Sequence, residues 1–253
     1  MIKLEHTDVY GWEAAIRGMR NPMNSWDRSD SVLCKGRDGF EDCKINVSGE
    51  CPRHEDFRHD IFCVGQDDYD LMMRLAKGGS VHAKYRRMIT VTVDITAPLY
   101  WWKEFDTYKV GTVANSCSTM HKIHDKEFTV DDFSCEHLLG INDFSFTLEF
   151  ETDLEPIKSS AMGCLEITAA ILNGFRRQYL ETNDKKYWWQ MIQLLPSSYN
   201  QKRTILLNYE VLVGMYRDRQ NHKLDEWHDF CHWIESLPYS EIITGVTVSQ
   251  LSQ

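Results

Sequence analysis

The sequence has no long apolar run, no excess of cations and no familiar catalytic signature, and each absence removes a class of function. Nothing approaches the ~20 consecutive apolar residues that a bilayer-spanning helix needs. The opening Met1-Ile2-Lys3-Leu4-Glu5-His6 is not a secretory signal. Lys and Arg number 28 against 38 Asp and Glu, a net charge of −10, which argues against a broad nucleic-acid polymer surface. A small anion held by a few local cations remains compatible with that balance. There is no Walker glycine-lysine loop, no His-Glu-x-x-His and no Gly-x-Ser-x-Gly elbow. The eight cysteines never form a Cys-x-x-Cys knuckle. Without an export signal they read as reduced thiols in a cytoplasm. No internal repeat or low-complexity segment occurs.

What is present is an ordinary globular composition over 253 residues, with 42% apolar, 26% charged and 12% aromatic residues. This length supports a sizeable core, as one large domain or two small ones. Residues 31–64 read as an insertion: polar, weakly periodic, and carrying Cys34, Cys43, Cys51 and Cys63 with His54 and His59 nearby. Their long, irregular gaps fit loop cysteines better than a zinc site, and no metal is expected. The sequon at Asn46 carries no weight without secretion.

Helices are expected at Trp12–Arg20, stopping at Asn21-Pro22, and at Gln66–Gly79. Ile89, Val91, Val93 and Ile95 alternate with polar partners as a strand does. Pro98 ends that ladder before the aromatic, helix-like Leu99–Phe105, whose rings are expected in the core. The charged series His82, Lys84, Tyr85, Arg86 and Arg87 is a source of cations for an anion site on one reading and a solvated run before the strand on the other, and the solvated run is expected. Phe144–Glu151 alternates as a second strand. Cys164–Leu180 is an amphipathic helix expected to bury Leu165, Ile167, Ala170, Ile171 and Phe175. Lys185–Leu195 continues helical, and His228–Leu237 is the last helix, with Phe230, Trp233 and Ile234 inward.

Two stretches are candidates for function. Asp106 to Lys122 is rich in hydroxyls, amides and small residues, with Lys109 and Lys122 towards its ends. Such a segment suits phosphate binding, and it also suits a polar turn between elements. Thr204–Trp227 reads as one helix after the Leu195-Pro196-Ser197-Ser198 turn. On it Asn208, Leu212, Met215 and Arg219 form a stripe, with the two polar ends roughly 16–17 Å apart. No nucleophile–base pair is visible near Cys117 or elsewhere, so an enzyme built on this chain needs a cofactor for the hard chemistry.

Together these stretches resemble the flavin-dependent thymidylate synthase family. Thr112-Val113-Ala114-Asn115-Ser116-Cys117-Ser118 is similar to that family's Ser-x-Asn-Glu-x-Ser motif if one residue is inserted. Thr204, Asn208, Leu212 and Arg219 match its Thr, Asn-x-Arg-x-Leu and following Arg at the right spacing. The family's Arg-His-Arg is replaced by Thr107-Tyr108-Lys109 or Tyr108-Lys109-Val110. Glu210 stands where it has the intervening arginine, Ser116 where it has glutamate, and Met120 near its last arginine.

The resemblance implies an α/β (α+β) fold with a central sheet and flanking helices. It also implies a homotetramer binding FAD, with NADPH and methylenetetrahydrofolate as co-substrates, that converts dUMP to dTMP. Carried over, Arg219 and Ser118 are catalytic, and Lys109, Ser116, Ser118 and Arg219 hold the nucleotide. Asn208, Tyr108, Lys109 and Asn115 line the flavin site. Modification of another pyrimidine nucleotide at C5, and an inactive nucleotide-binding homologue, are the alternatives.

Overall fold

Valine and isoleucine at every second position make the strand expected before Pro98: Ile89, Val91, Val93, Ile95 and Ala97 are all essentially inaccessible. In the computed structural model, which describes residues 2–34, 61–149 and 155–245, this strand is inner in a four-stranded sheet. The elements in order are β1 (Lys3–Tyr10), α1 (Trp12–Arg20), β2 (Val32–Cys34), β3 (Ile61–Cys63), α2 (Gln66–Lys77), β4 (Thr90–Pro98), α3 (Leu99–Phe105), β5 (Val113–Ser116) and α4 (Thr119–Lys122). They continue with β6 (Phe146–Leu148), β7 (Ile157–Ser159), α5 (Ala161–Thr182), α6 (Lys185–Leu194), β8 (Asn200–Asn208), α7 (Tyr209–Arg219), α8 (Asp225–Glu235) and α9 (Glu241–Thr244). The sheet order is β1-β4-β8-β5, and two short antiparallel pairs, β2–β3 and β6–β7, stand apart from it. A sheet with flanking helices is the expected architecture. No described helix is long and apolar enough to cross a membrane.

The chain divides into two compact units. One takes the described residues of Met1–Glu5, Asp94–Tyr108 and Ala114–Ile205; the other takes those of His6–Val93, Lys109–Val113 and Leu206–Gln253.

In the first unit α5 and α6 form a helical hairpin over Ile123, Phe128, Phe133, Leu165, Ala169, Leu172 and Met191. The buried line of α5 is Leu165, Ala169 and Leu172, spaced i, i+4, i+7. Ile167 and Ile171, expected inside, are 44% and 45% exposed, because α6 covers the neighbouring face. The aromatic α3 is core as expected, with Trp101, Trp102 and Phe105 at 2% exposure or less. In the described part of the second expected strand, β6 forms with Phe146 exposed; Phe150 and Glu151 lie outside the described residues.

In the second unit α7 packs on α8, α9 and the 3-10 turn Lys84–Arg87. Trp12, Tyr209 and Tyr239 meet edge to face at 5.5 and 5.1 Å. Phe230, Trp233 and Ile234 point inward as expected. The expected solvated charge run is corrected here: Lys84 and Arg87 are exposed, but Tyr85 and Arg86 are buried. Of the cysteine-bearing insertion, only its β2 and β3 ends are paired in the described part; Cys43, Cys51, His54 and His59 lie outside it.

The end of α1 carries a buried ion pair. Arg20 donates from Nε to Asp68 at 2.6 Å, with side-chain exposures of 4% and 0%. The hydroxyls of Ser29 and Ser31 donate to the other Asp68 oxygen, each at 2.6 Å. Arg20 is thus committed to the fold, with Nε on Asp68 and Nη1 on the Ser25 carbonyl at 3.2 Å. Burial alone would raise the Asp68 pKa. Hydrogen bonds from Ser29, Ser31 and Arg20, with the Arg20 charge, outweigh it and hold the carboxyl below its ordinary 3.8.

Because the folded pKa is depressed, this carboxylate's contribution is complete above the unfolded value and is lost as pH falls through the folded one. Asp68→Ala, which strands Arg20, is expected to cost about 3–5 kcal/mol at neutral pH. It also removes the share of acid destabilisation that Asp68 supplies below its ordinary 3.8. Urea unfolding of both proteins across an acid-to-neutral pH series checks both outcomes.

Candidate functional site

The junction of β8 and α7 is where strand geometry gives way to helix. Ile205 and Leu207 are buried while Leu206 between them is 41% exposed, a period of two and not 3.6. Asn208 remains extended, at φ −130° and ψ 166°, and its side-chain oxygen accepts from the Val211 amide at 3.1 Å. This caps α7 and corrects the single helix expected from Thr204 onward. Asn208 and Arg219 therefore stand at the two ends of an eleven-residue helix, not on a shared stripe. Leu212 and Met215 are buried beneath it, as expected.

The cap uses the carbonyl side of Asn208 and turns its amide nitrogen towards Gly111. A Cβ on Gly111 would lie 3.1 Å from that nitrogen and 2.9 Å from Cγ2 of Val211. Gly111 also has φ +83°, which side-chain-bearing residues rarely adopt. So the Lys109–Val113 segment is laid against the first turn of α7, and the exposed Lys109 sits at its start. Lys109 and Asn208 belong to the same unit, and Gly111 is the residue of that segment in contact with Asn208. Neither Gly111 nor its role stood out in the sequence; a lone Val-Gly-Thr turn is the only signal for it.

One turn into α7, Glu210 faces the buried Arg86, with Oε2 3.8 Å from the guanidinium Nη1. Arg86 is 6% exposed. Neither Arg86 Nε nor Glu210 Oε2 has a hydrogen-bond partner among the described residues. Burial raises the phenol pKa of the adjacent Tyr85 to about 12, with Arg86 opposing and Glu210 reinforcing the shift. Tyr85 is thus a neutral donor, given to the Met72 carbonyl at 2.9 Å.

Arg219, at the C-terminal end of α7, lays its guanidinium 4.6 Å from the Trp227 ring centre. A cation there also complements the helix dipole. The guanidinium is half-buried in this arrangement.

The remaining expected residues belong to the other unit. Tyr108 follows α3, and Asn115 and Ser116 are exposed on β5, an edge strand. Ser118 caps the short α4 by accepting from the His121 amide at 3.2 Å. This segment is fixed from beneath: the Cys117 amide donates to the Lys202 carbonyl at 2.9 Å. The Gln201 side chain donates to the Cys117 carbonyl and to Thr119, both at 3.0 Å. Arg203 stacks 4.1 Å over Trp102 and pairs with Asp106 at 2.8 Å, an anchor that sequence inspection had not singled out. The Thr204 hydroxyl is taken by Asp94 at 2.6 Å. Among the described residues no three His, Cys, Asp or Glu side chains gather as a metal would require.

No protein-family model and no curated protein matches this sequence. The fold is similar to two solved structures along nearly their whole length. One is the flavin-dependent thymidylate synthase ThyX from Helicobacter pylori complexed with FAD and dUMP, at TM-score 0.58 and 14% identity, with 96% of this chain and 98% of that chain covered. The other is the UMP/dUMP methylase PolB from Streptomyces cacaoi bound with 5-Br UMP, at TM-score 0.53 and 12% identity, covering 97% and 94%. At such identities the likeness establishes a flavin-dependent thymidylate synthase-like fold.

Gly111→Ala tests the close approach at the start of α7. Left-handed backbone plus a Cβ collision with Val211 should cost about 1–3 kcal/mol. Chemical denaturation checks it, and Gly79→Ala, with φ +84° and open space around its Cβ, isolates the cost of backbone conformation alone.

Proposed function

We propose that this chain is a flavin-dependent enzyme acting at C5 of a pyrimidine nucleotide, most simply the reductive methylation of dUMP to dTMP. The observation that carries this reading is the end-to-end fold likeness to a protein complexed with FAD and dUMP. The matching Asn208 and Arg219 at the two ends of α7 support it. The chain lacks a conventional catalytic set, which suits chemistry delegated to a cofactor. Methylenetetrahydrofolate would supply the one-carbon unit, and NADPH would reduce the flavin. Flavin, when bound, supplies hydride.

The protein's own residues bind and polarise. Arg219, held flat by Trp227, donates to the pyrimidine carbonyl and stabilises the negative charge that develops as C5 becomes nucleophilic. Ser116 and Ser118, on a segment pinned by Gln201, offer hydroxyls to the phosphate, and Lys109 offers charge. Tyr108, Asn115 and the amide nitrogen of Asn208 are the neutral groups assigned to the flavin. The residues fit FAD in one testable respect: at Gly111 the backbone comes within side-chain distance of Asn208, leaving a bare main chain beside an amide donor.

The whole chain acts as one functional domain in the cytoplasm and assembles as a homotetramer. Ile167 and Ile171, one turn apart on α5 and 44% and 45% exposed, supply an apolar face for another subunit.

A second reading, an inactive nucleotide-binding homologue, is favoured by Glu210, a charge reversal against the family pattern, and by the single cation left at Lys109. The absorption spectrum of the purified chain, with release of deuterium from C5-labelled dUMP, separates the two. A yellow protein that releases label fits the enzyme. A protein that cannot be loaded with FAD ends that reading, and one that also binds dUMP without turnover fits the homologue. In the enzyme, Arg219→Ala should lower kcat/KM for dUMP by roughly 10²–10³-fold. It should cost only about 1 kcal/mol of stability from the lost stacking on Trp227.

A further inference from the structure

The Arg86–Glu210 pair sets a buried cation against a partly buried carboxylate. Ion pairs that close on each other reach about 2.7–2.9 Å. Here Nη1 and Oε2 stop at 3.8 Å, and Arg86 Nε and Glu210 Oε2 are both buried without a hydrogen-bond partner. Two apolar residues of the same size would hold the turn at Lys84–Arg87 against α7 at least as well, so stability alone does not account for the pair. Its position does suggest a use. It lies at the first turn of α7, two residues beyond the capping Asn208 and on the helix against which Gly111 is laid. The Glu210 side chain is 19% exposed, so the pair lies near the surface on that side, with its two unpartnered atoms covered.

We propose that Arg86 and Glu210 form a donor–acceptor dyad that binds a sugar hydroxyl of the nucleotide or of the flavin, and that it determines specificity in the site assigned above. The inference rests on that functional assignment. The chemistry selects a hydroxyl because it both gives and takes a hydrogen bond. Its O–H donates to the Glu210 carboxylate while its oxygen accepts from the Arg86 guanidinium. A phosphate is repelled by Glu210, and an ammonium by Arg86. A carbonyl satisfies Arg86 but leaves the carboxylate unpaired. The charge reversal at Glu210 thus converts a position reading an anion or acceptor into one reading a neutral donor.

The test is calorimetric titration of the full chain with UMP, dUMP and FAD, in the wild type and in the double variant Arg86→Met/Glu210→Leu. The double change leaves no lone buried charge, so the melting temperature should stay at or above that of the wild type. If the hydroxyl is the ribose 2′-OH, the wild type binds UMP more tightly than dUMP by about tenfold or more, and the variant loses the preference. If it belongs to the flavin, FAD binding weakens by about tenfold or more while the UMP-to-dUMP ratio is unchanged. Either result supports the dyad. A folded double variant that binds all three ligands like the wild type overturns it. Should the double variant unfold, Glu210→Gln carries the comparison, since the amide keeps the shape and loses the charge: weaker binding of UMP or FAD supports the dyad, and unchanged binding overturns it. A wild type that binds none of the three overturns the functional assignment and the dyad together, an outcome distinct from the others.

Discussion

The hydrogen bond from the Val211 amide to the Asn208 side chain decides where β8 stops and α7 starts. Extended backbone at Asn208 hands over to helix within one residue, and the Tyr209 amide is tied at that point to the Ile89 carbonyl at 3.0 Å. Everything that follows on α7 inherits its angle from this cap. Glu210 is turned to Arg86, Leu212 and Met215 are turned down into the core, and Arg219 is delivered to Trp227. A shift of one residue at the cap would rotate each of these by about 100°. A cap is modest in energy, about 1 kcal/mol, yet here it sets the register of every polar group on the helix.

Where one periodicity ran unopposed, the fold was legible in the sequence. β4 alternates cleanly, α3 follows a proline that cannot continue a ladder, and α1 and α6 have the lengths their patterns imply. The β8–α7 boundary was not legible, because Ile205-Leu206-Leu207 is a continuous apolar run that fits a helix or a strand equally well. Only the partners in the sheet decide for a strand. The buried face of α5 was misjudged for a related reason. Leu165, Ala169 and Leu172 and the adjacent Ile167 and Ile171 are both apolar lines, and the choice between them depends on where α6 comes back. Of the candidate site, its residues could be picked out from a family resemblance, but the cap at Asn208 and the close approach at Gly111 come only from three-dimensional packing.

The cations show the same limit. Arg20 and Arg86 look alike in sequence, each in a short basic stretch that ordinarily faces water. Both are buried, and their surroundings differ in kind. Arg20 meets an aspartate already supplied with two serine hydroxyls, a network in which both carboxylate oxygens have donors. Arg86 meets a glutamate across a longer gap with hydrogen-bonding capacity left over on both sides. A satisfied network of the first sort rigidifies a fold; an unsatisfied one of the second sort is an imbalance that a ligand can settle.

Thiol chemistry is poorly placed to substitute for a cofactor. Burial, with the charge of Glu235 adding to it, pushes the Cys231 thiol up to about 11, so almost none of it is thiolate at neutral pH. Cys117 is exposed on the pinned segment, and its amide and carbonyl are committed to Lys202 and Gln201. Its place in the structure is fixed by its backbone, whereas a nucleophile needs an adjacent base, and the sequence places none beside Cys117. In the function proposed above, the chain's own amides, hydroxyls and guanidinium would orient and polarise, and the electrons for a reduction would come from a bound flavin.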